Sequence, residues 1–427
     1  MLWKSLYYSG GGTGCRTRIR ISPLRRRTLS MPIAALPRTV GQAPPRPAPV
    51  FASSPEFDLL LACCAELSNG ERTQRIRDLL DHPLDWQRLI QIAEHHGVIP
   101  HLYRHLSEAS NVPPDSIEAI RQGYEANARK ALWLTGELFR VVAHLDSRGI
   151  AVLPYKGPVL AEILYGNVAL RQFSDLDVLI HAADVPRAKA ALTELSYKPG
   201  FEFTPQEGRA YFASGYEYTF DSAHGRNLLE LQWQIQPRFY SVDLDVDGLF
   251  DRAQSVAVAG RSLQTLSAED LMLVLCVHAA KHAWVQLSWL FDIVQLARSQ
   301  RVNWDVVTQQ AKRLGIERIV AASFALAQKL LGTAAPAGQA QSQAADEAIA
   351  RAIVPIIAQG TEYDTESISY FRLMMRLRER RRDRLRFLWR LIVTPSVGEW
   401  SAVRLPGPLF FLYRVVRIFR LAARVLR

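Results

Sequence analysis

The chain has 427 residues, enough for two or three domains, and its 48% hydrophobic content is sufficient for ordinary cores. Its net charge of +11 comes from the two ends, because residues 1–50 hold nine Lys/Arg without an acid and residues 371–427 hold fifteen Arg against three acids. The central span therefore has an acid excess, which excludes a general argument that this basic protein binds nucleic acid through its body. The four cysteines give neither a disulfide framework nor zinc-ligand spacing.

The N-terminal segment is predicted to be a disordered basic tail over residues 1–54. Its composition, rich in Arg, Ser, Pro and Gly, also suits a transit peptide, and a third reading takes Met31 as the true start. No apolar run reaches 18 residues, so no transmembrane segment is expected. The cysteine usage fits a cytoplasmic protein, with peripheral contact at a membrane left open.

A helical region is predicted over residues 55–149. Apolar residues from Phe57 onward recur at helical spacing, Asp85 is placed to cap the start of the next helix, and Gly97 is placed to end it. Residues 115–148 then predict a long amphipathic helix, or two helices, that end at Gly149.

Residues 150–262 predict a small α/β domain, because apolar strand patterns alternate with helical ones. The whole pattern favours an α+β, mostly α fold, in which a small mixed sheet is flanked by N-terminal and C-terminal helical regions. The predicted elements are a strand at 150–154, a helix at 158–164, a strand at 174–180, a helix at 184–196, and strands at 216–221 and 227–235 with a hairpin-like turn between them.

Two further regions are predicted after the sheet. Ser267-Ala268-Glu269-Asp270 is a strong helix start and opens a helical substrate-side domain over residues 263–333. Residues 334–427 are then predicted to be a loose Ala/Gln/Gly-rich linker followed by an arginine-rich helical region.

Asp175 and Asp177 carry the main chemical signal. They are two positions apart in a predicted strand, so both side chains point to the same face. Two carboxylates on one sheet edge repel each other unless a cation lies between them, and Mg²⁺ prefers such oxygen ligands. The pattern indicates metal-assisted phosphoryl or nucleotidyl transfer. Glu230, in an apolar strand, is the first choice for a third carboxylate around two Mg²⁺ ions, and Asp221 is the second.

These residues also resemble a known family. Gly157, the Asp175-x-Asp177 strand and a later strand carboxylate are similar to the polymerase-β-like nucleotidyltransferase superfamily. The nearer resemblance, over roughly residues 57–300, is to the bacterial uncharacterised nucleotidyltransferase family. Its pattern is matched by Asp85-Trp86, His96-Gly97-Val98, Lys156-Gly157, Arg171, Asp175-x-Asp177, Glu230-x-x-Trp233, Glu269-Asp270, His278, Lys281-His282 and Trp289-Leu290-Phe291-Asp292.

The resemblance implies a Mg²⁺-dependent enzyme that transfers a nucleoside monophosphate from an NTP to an acceptor and releases pyrophosphate. The acceptor stays open: a small molecule, a protein side chain or RNA. Lys156 and Arg171 would face the triphosphate. Pro158 departs from the superfamily pattern and removes a backbone N–H that could hold phosphate. The alternative is therefore a catalytically inactive nucleotide-binding or regulatory protein of the same fold.

A second polar cluster follows on the predicted helix after Ser267. His278, Lys281 and His282 share one helix face and are candidates for substrate or phosphate contact, with helix packing as the alternative. They lack the glutamate of a His-Glu-x-x-His zinc site. Asp292 is either a helix-surface acid or a partner of this cluster.

The C-terminal residues predict a basic amphipathic helix. Arginines recur there at helical spacing with apolar residues between them. Docking on the acidic body of the same protein is one reading, and binding to anionic lipid or RNA is the other. The arginines concerned are Arg414, Arg417, Arg420, Arg424 and Arg427.

Overall fold

The computed structural model describes residues 54–427, with gaps at 223–224, 300, 334–343, 361–362, 364–366, 396–398, 400–402, 404 and 426–427. The predicted N-terminal tail lies outside the described residues, as does most of the predicted linker. Residues 49–427 form one compact unit.

Five helices precede the sheet, and their starts follow from local capping. The Asp85 carboxylate accepts the Arg88 N–H at 2.9 Å, so the predicted cap is confirmed. Ser68 and Glu71 form a capping box at an earlier helix start. The long helix predicted at 115–148 is one continuous helix. The five are α1 Pro55–Cys64, α2 Asn69–Leu80, α3 Trp86–His95, α4 Ile99–Leu106 and α5 Pro114–Asp146.

The sheet has five strands in the order β1-β2-β5-β4-β3, and β2 runs parallel to β5 while the other neighbours are antiparallel. It is the small mixed sheet that the sequence predicts. The elements are β1 Leu153–Pro154, α6 Gly157–Tyr165, β2 Leu176–Leu179, α7 Val185–Glu194, β3 Lys198–Pro199, α8 Pro205–Ser214, β4 Glu217–Ser222 and β5 Gly225–Gln232.

Several bounds in this region differ from the prediction. Strand β2 begins at Leu176, so Asp175 lies one residue before it. The predicted strand 227–235 is displaced toward the hairpin and ends at Gln232. Helix α8 was not predicted; Thr204 caps it through a capping box with Glu207, a signal readable in the sequence.

The remaining elements are mostly helical. Strands β6 and β7 form a separate antiparallel hairpin that the sequence reading did not identify. Ser267 caps α10 as predicted, because its hydroxyl accepts the Asp270 N–H at 3.1 Å. The elements are α9 Val246–Asp251, β6 Gln254–Val258, β7 Arg261–Thr265, α10 Ala268–Lys281, α11 Leu287–Arg298, α12 Trp304–Leu314, α13 Glu317–Leu331, α14 Ala344–Gln359, α15 Ile368–Arg376, α16 Arg381–Val393 and α17 Tyr413–Val425.

Two hydrophobic cores hold the described part of the chain together. One core joins α1–α4 to α10–α15, and the other joins the second half of α5 and α7 to the sheet. The predicted domain boundaries stay a prediction. Among the described helices, none combines the length and the apolar character needed to cross a membrane.

Candidate active site

Asp177 and Glu230 are direct neighbours in the sheet, because β2 and β5 are paired in parallel with these two residues in register. Antiparallel pairing then places Thr219 of β4 opposite Glu230, and Glu217 opposite Gln232. Side chains two positions apart share a sheet face, so Asp177, Glu230, Gln232 and Glu217 project from the same face.

Gln232 connects these acids. Its Nε2 lies 3.2 Å from a carboxylate oxygen of Asp177, 3.2 Å from one of Glu230 and 3.3 Å from one of Glu217. The buried Tyr155 hydroxyl donates to the Gln232 Oε1 and so fixes the amide orientation. A single amide thus holds three carboxylates close together.

Lys156 forms the direct counter-charge of Asp177. Its Nζ lies 2.8 Å from Asp177 Oδ1, and both side chains are largely buried. Burial raises the pKa of Asp177, but the charge and hydrogen bond of Lys156, together with Glu230 and Arg171, hold the pKa below its usual value. Burial alone would lower the pKa of Lys156, and Asp177 instead holds it above its usual value.

Glu230 has the opposite electrostatic environment. Burial, followed by the negative charges of Glu217, Asp177 and Asp175, raises its pKa well above the ordinary value. Asp175 is half-buried just before β2 and acts on Glu230 through charge. Glu230 is therefore the acid most disfavoured as an anion without an added cation.

Gly157 belongs to this site through its backbone. Its φ of +54° is in the left-handed region that glycine adopts without penalty, and a Cβ there would lie 3.3 Å from the Asp175 carbonyl oxygen. Glycine lets the first turn of α6 approach the segment that carries Asp175. Pro158 follows at the second helical position, where its missing N–H breaks no helical hydrogen bond.

Arg171 is tied to Asp292 of α11. Its Nε donates to Asp292 Oδ2 at 3.0 Å, and Tyr165 O–H donates to Asp292 Oδ1 at 2.9 Å. Burial raises the pKa of Asp292, and these two donors offset part of the rise. Asp292 is only 1% exposed, so it is not a helix-surface acid, and its observed partners are Arg171 and Tyr165, which lie outside the predicted cluster of His278, Lys281 and His282. Asn127 further fixes this segment by donating to the Ala169 carbonyl at 2.8 Å.

The last turn of α10 brings the second predicted cluster to the same site. Lys281 Nζ lies 5.0 Å from the ring centroid of Tyr216, next to the start of β4. Burial and the nearby Lys156 lower the pKa of Lys281, while Glu217 and Glu230 oppose that shift. Burial followed by the charge of Lys156 lowers the pKa of His278 well below its usual value, so this imidazole is neutral near pH 7.

The histidines of α10 pack on an aromatic ring. The centroids of His278 and His282 lie 4.9 Å apart and 5.2 and 5.3 Å from that of Trp289. After them, Ala283 and Trp284 both adopt left-handed backbone conformations, and Trp284 Nε1 donates to Ser323 at 2.9 Å. This turn fixes where α10 ends beside the sheet.

The structure thus brings together the acids Asp177 and Glu230 with Lys156, Lys281 and His278, while Arg171 is directed toward Asp292. Asp221 lies opposite Lys198 of β3, near the hairpin end of β4. Asp175, Asp177, Glu217 and Glu230 form the acid cluster of this site. The sequence analysis did not identify Glu217, the linking amide Gln232 or Tyr155 behind it, although Glu217 and Gln232 follow the two-residue period of β4 and β5.

The carboxylate arrangement is compatible with a divalent cation. Within the described residues, no three His, Cys, Asp or Glu side chains form a preformed metal site. The four acids nevertheless outnumber the two lysines that face them, and their negative charges add to burial in raising the pKa of Glu230. A hard cation among the oxygen donors would offset this excess of negative charge. The three-carboxylate metal set stays a prediction.

A family model described as "Uncharacterised nucleotidyltransferase" matches residues 82–332. No curated protein matches the chain. The solution structure of the antibiotic-resistance factor ANT(2'')-Ia matches at 16% identity with a TM-score of 0.32, covering 43% of this chain and 92% of that chain. A nucleotidyltransferase-like protein from Paracoccidioides brasiliensis matches at 14% identity with a TM-score of 0.23, covering 44% and 87%. Because the family model spans more than half of the sequence and includes every predicted site residue, the chain belongs to the uncharacterised nucleotidyltransferase family.

Proposed function

We propose that this protein is a Mg²⁺-dependent nucleotidyltransferase that moves a nucleoside monophosphate from an NTP to an acceptor. The observation that carries the proposal is the in-register placement of Asp177 beside Glu230 on parallel strands, with Asp175 and Glu217 adding negative charge. Such an excess of buried carboxylate is costly for a purely structural site, and it suits a site that receives cations with its substrate.

Asp175, Asp177 and Glu230 would hold the metal ions, and bound Mg²⁺ would supply charge neutralisation for the triphosphate. Lys156 neutralises Asp177 in the free protein and would add positive charge to the phosphate side once the substrate is bound. Lys281 and the neutral His278 would contact phosphate or substrate from α10, with His282 beside them. Arg171, held through its Nε on Asp292, would contact a phosphate oxygen with its terminal nitrogens.

The proposed reaction is an in-line displacement. An acceptor hydroxyl oxygen forms a bond to the α-phosphorus, the bond to the bridging oxygen breaks, and pyrophosphate leaves. Glu230 is the proposed base for the hydroxyl proton, because burial and the neighbouring acids raise its pKa and so make its carboxylate a stronger base than an ordinary one. Catalysis would rest on positioning and charge stabilisation.

The test is nucleotide binding, measured by titration calorimetry with each of the four common NTPs in Mg²⁺ or in EDTA. We expect Mg²⁺-dependent binding that weakens by about tenfold or more, equivalent to about 1.4 kcal/mol, in Asp175→Asn and in Asp177→Asn. Asp221→Asn is the matched control, since Asp221 lies in the same sheet outside the acid cluster. Binding that is indifferent to Mg²⁺ and to both variants would refute the proposal.

Turnover needs a second measurement. Pyrophosphate release is followed with hydroxylated small molecules, with protein and with RNA as acceptors. Release that depends on one acceptor class and is lost in Asp175→Asn supports transfer to that class. Mg²⁺-dependent nucleotide binding without release for any acceptor would favour the inactive nucleotide-binding alternative, which the unusual Pro158 motivates.

A further inference from the structure

Helix α17 has its charged and apolar sides in an unusual arrangement. Phe419 is 70% exposed and Ile418 is 49% exposed, whereas Arg417 is only 7% exposed. Val415 is exposed on the same side of the helix. A helix that stabilised only this fold would bury its apolar residues and expose its arginines.

The buried side of α17 explains where its arginines are directed. The Arg417 guanidinium donates to the Leu391 carbonyl oxygen of α16 and, at 3.1 Å, to the buried Glu399 carboxylate. Arg420 lies 3.4 Å from the other oxygen of Glu399. Docking on an acid of the same protein is therefore the observed role of these two arginines. The Arg424 side chain and Arg427 lie outside the described residues.

Helix α16, which packs against α17, also exposes an apolar strip. Leu385, Trp389 and Ile392 follow one another at helical spacing and are 66%, 67% and 38% exposed. Arg381 and Arg382 are exposed on the flanks of this strip. The strip is thus apolar at its centre and basic at its edge.

The exposed apolar residues are concentrated in this part of the chain. Among the described residues, ten of the fourteen exposed large hydrophobic side chains fall in residues 368–419. Two of these ten, Leu409 and Phe411, lie in the turn before α17. Single exposed hydrophobic residues are ordinary, but strips on adjacent helices mark an interaction surface.

We propose that α16, the turn Gly407–Leu412 and α17 dock the protein on an anionic membrane surface. Residues 371–427 carry fifteen Arg against three acids, which complements anionic lipid headgroups. Each helix has 13 residues, too short to span a bilayer, so both would lie in the interface with Trp389 and Phe419 inserted.

Two other binding partners suit this surface less well than a membrane does. RNA would use the arginines and the aromatic rings, but it offers no apolar environment for Leu385, Ile392, Val415 and Ile418. A second copy of the chain would bring two arginine-rich surfaces together, which like-charge repulsion opposes.

The test is flotation of the full chain with phosphatidylcholine vesicles that contain no anionic lipid or about 30% phosphatidylglycerol. We expect binding to the anionic vesicles that weakens with added salt. The double variant Trp389→Ser with Phe419→Ser should lose at least about tenfold in affinity, because it removes the inserted aromatic side chains. The double variant Arg381→Gln with Arg414→Gln should bind the anionic vesicles more weakly, while any binding to vesicles without anionic lipid should be unchanged.

Leu132→Ser is the matched control, since Leu132 is 62% exposed on α5, and its binding should be unchanged. Circular dichroism of each variant checks that the fold is retained. Equal flotation of the aromatic double variant and the parent chain would overturn the proposal. So would binding to single-stranded homopolymer RNA in place of vesicles, or an aromatic-dependent dimer in light scattering without vesicle binding.

Discussion

The buried Arg171–Asp292 pair beside the active site should make the fold sensitive to the loss of either partner alone. Their side chains are 11% and 1% exposed, and the Nε–Oδ2 distance is 3.0 Å. At an effective dielectric constant of about 20, two unit charges at that distance attract each other by roughly 5 kcal/mol. Asp292→Asn removes the negative charge and leaves the guanidinium buried without it, so the free energy of unfolding should fall by about 3–5 kcal/mol.

The assay is a double-mutant cycle of urea unfolding with Asp292→Asn, Arg171→Met and the double variant that carries both changes. The double variant should recover most of the loss, because it leaves no buried charge without a partner. Glu118→Gln breaks the surface pair with Arg121 and should leave the unfolding midpoint unchanged. This expectation is contradicted if Asp292→Asn lowers the free energy of unfolding by less than about 1 kcal/mol, or lowers it by the same amount in the presence of Arg171→Met.

Three further outcomes follow from the acid cluster and the glycine beside it. Gly157→Ala should lower the free energy of unfolding by about 1–2 kcal/mol, because it places a Cβ at positive φ and against the Asp175 carbonyl oxygen, as thermal unfolding would show. Glu230→Gln should raise the melting temperature of the nucleotide-free protein at pH 8 while weakening Mg²⁺-dependent nucleotide binding. The carboxyl of Glu230 has a raised pKa in the native state, so its contribution to stability is complete below the usual value of 4.5 and is lost as the pH rises through the native pKa. The difference in melting temperature between Glu230→Gln and the parent protein should therefore increase with pH. Mg²⁺ binding should release protons, seen as a buffer-dependent calorimetric enthalpy, and Glu230→Gln should remove most of that dependence.

Local signals made the fold largely predictable. The side-chain caps at Asp85 and Ser267 act within three or four residues, and the sequence alone identifies both helix starts. The choice of Glu230 over Asp221 as the neighbour of Asp177 also agrees with the structure, since Glu230 lies in the more apolar strand. The roles of these acids stay predictions, but their proximity is now an observation.

The parts that the sequence did not predict depend on register and distance. Glu217 joins the acids only because the β4–β5 hairpin pairs it with Gln232, and a shift of one residue would turn it to the opposite face. Arg171 and Asp292 are 121 residues apart in the chain, so no local pattern could predict that they pair. The periodicity of α17 likewise predicts two faces without stating which one contacts the protein.

The acid cluster departs from what stability alone would favour. Three acids share one amide, and Lys156 neutralises only one of them directly. An apolar or amide side chain at Glu230 would remove the repulsion at little structural cost, which is why Glu230→Gln is expected to stabilise the free protein. The charge excess is therefore better explained by a ligand that supplies positive charge than by folding. Proton release on Mg²⁺ binding directly tests this link between the raised pKa of Glu230 and the proposed Mg²⁺–NTP substrate.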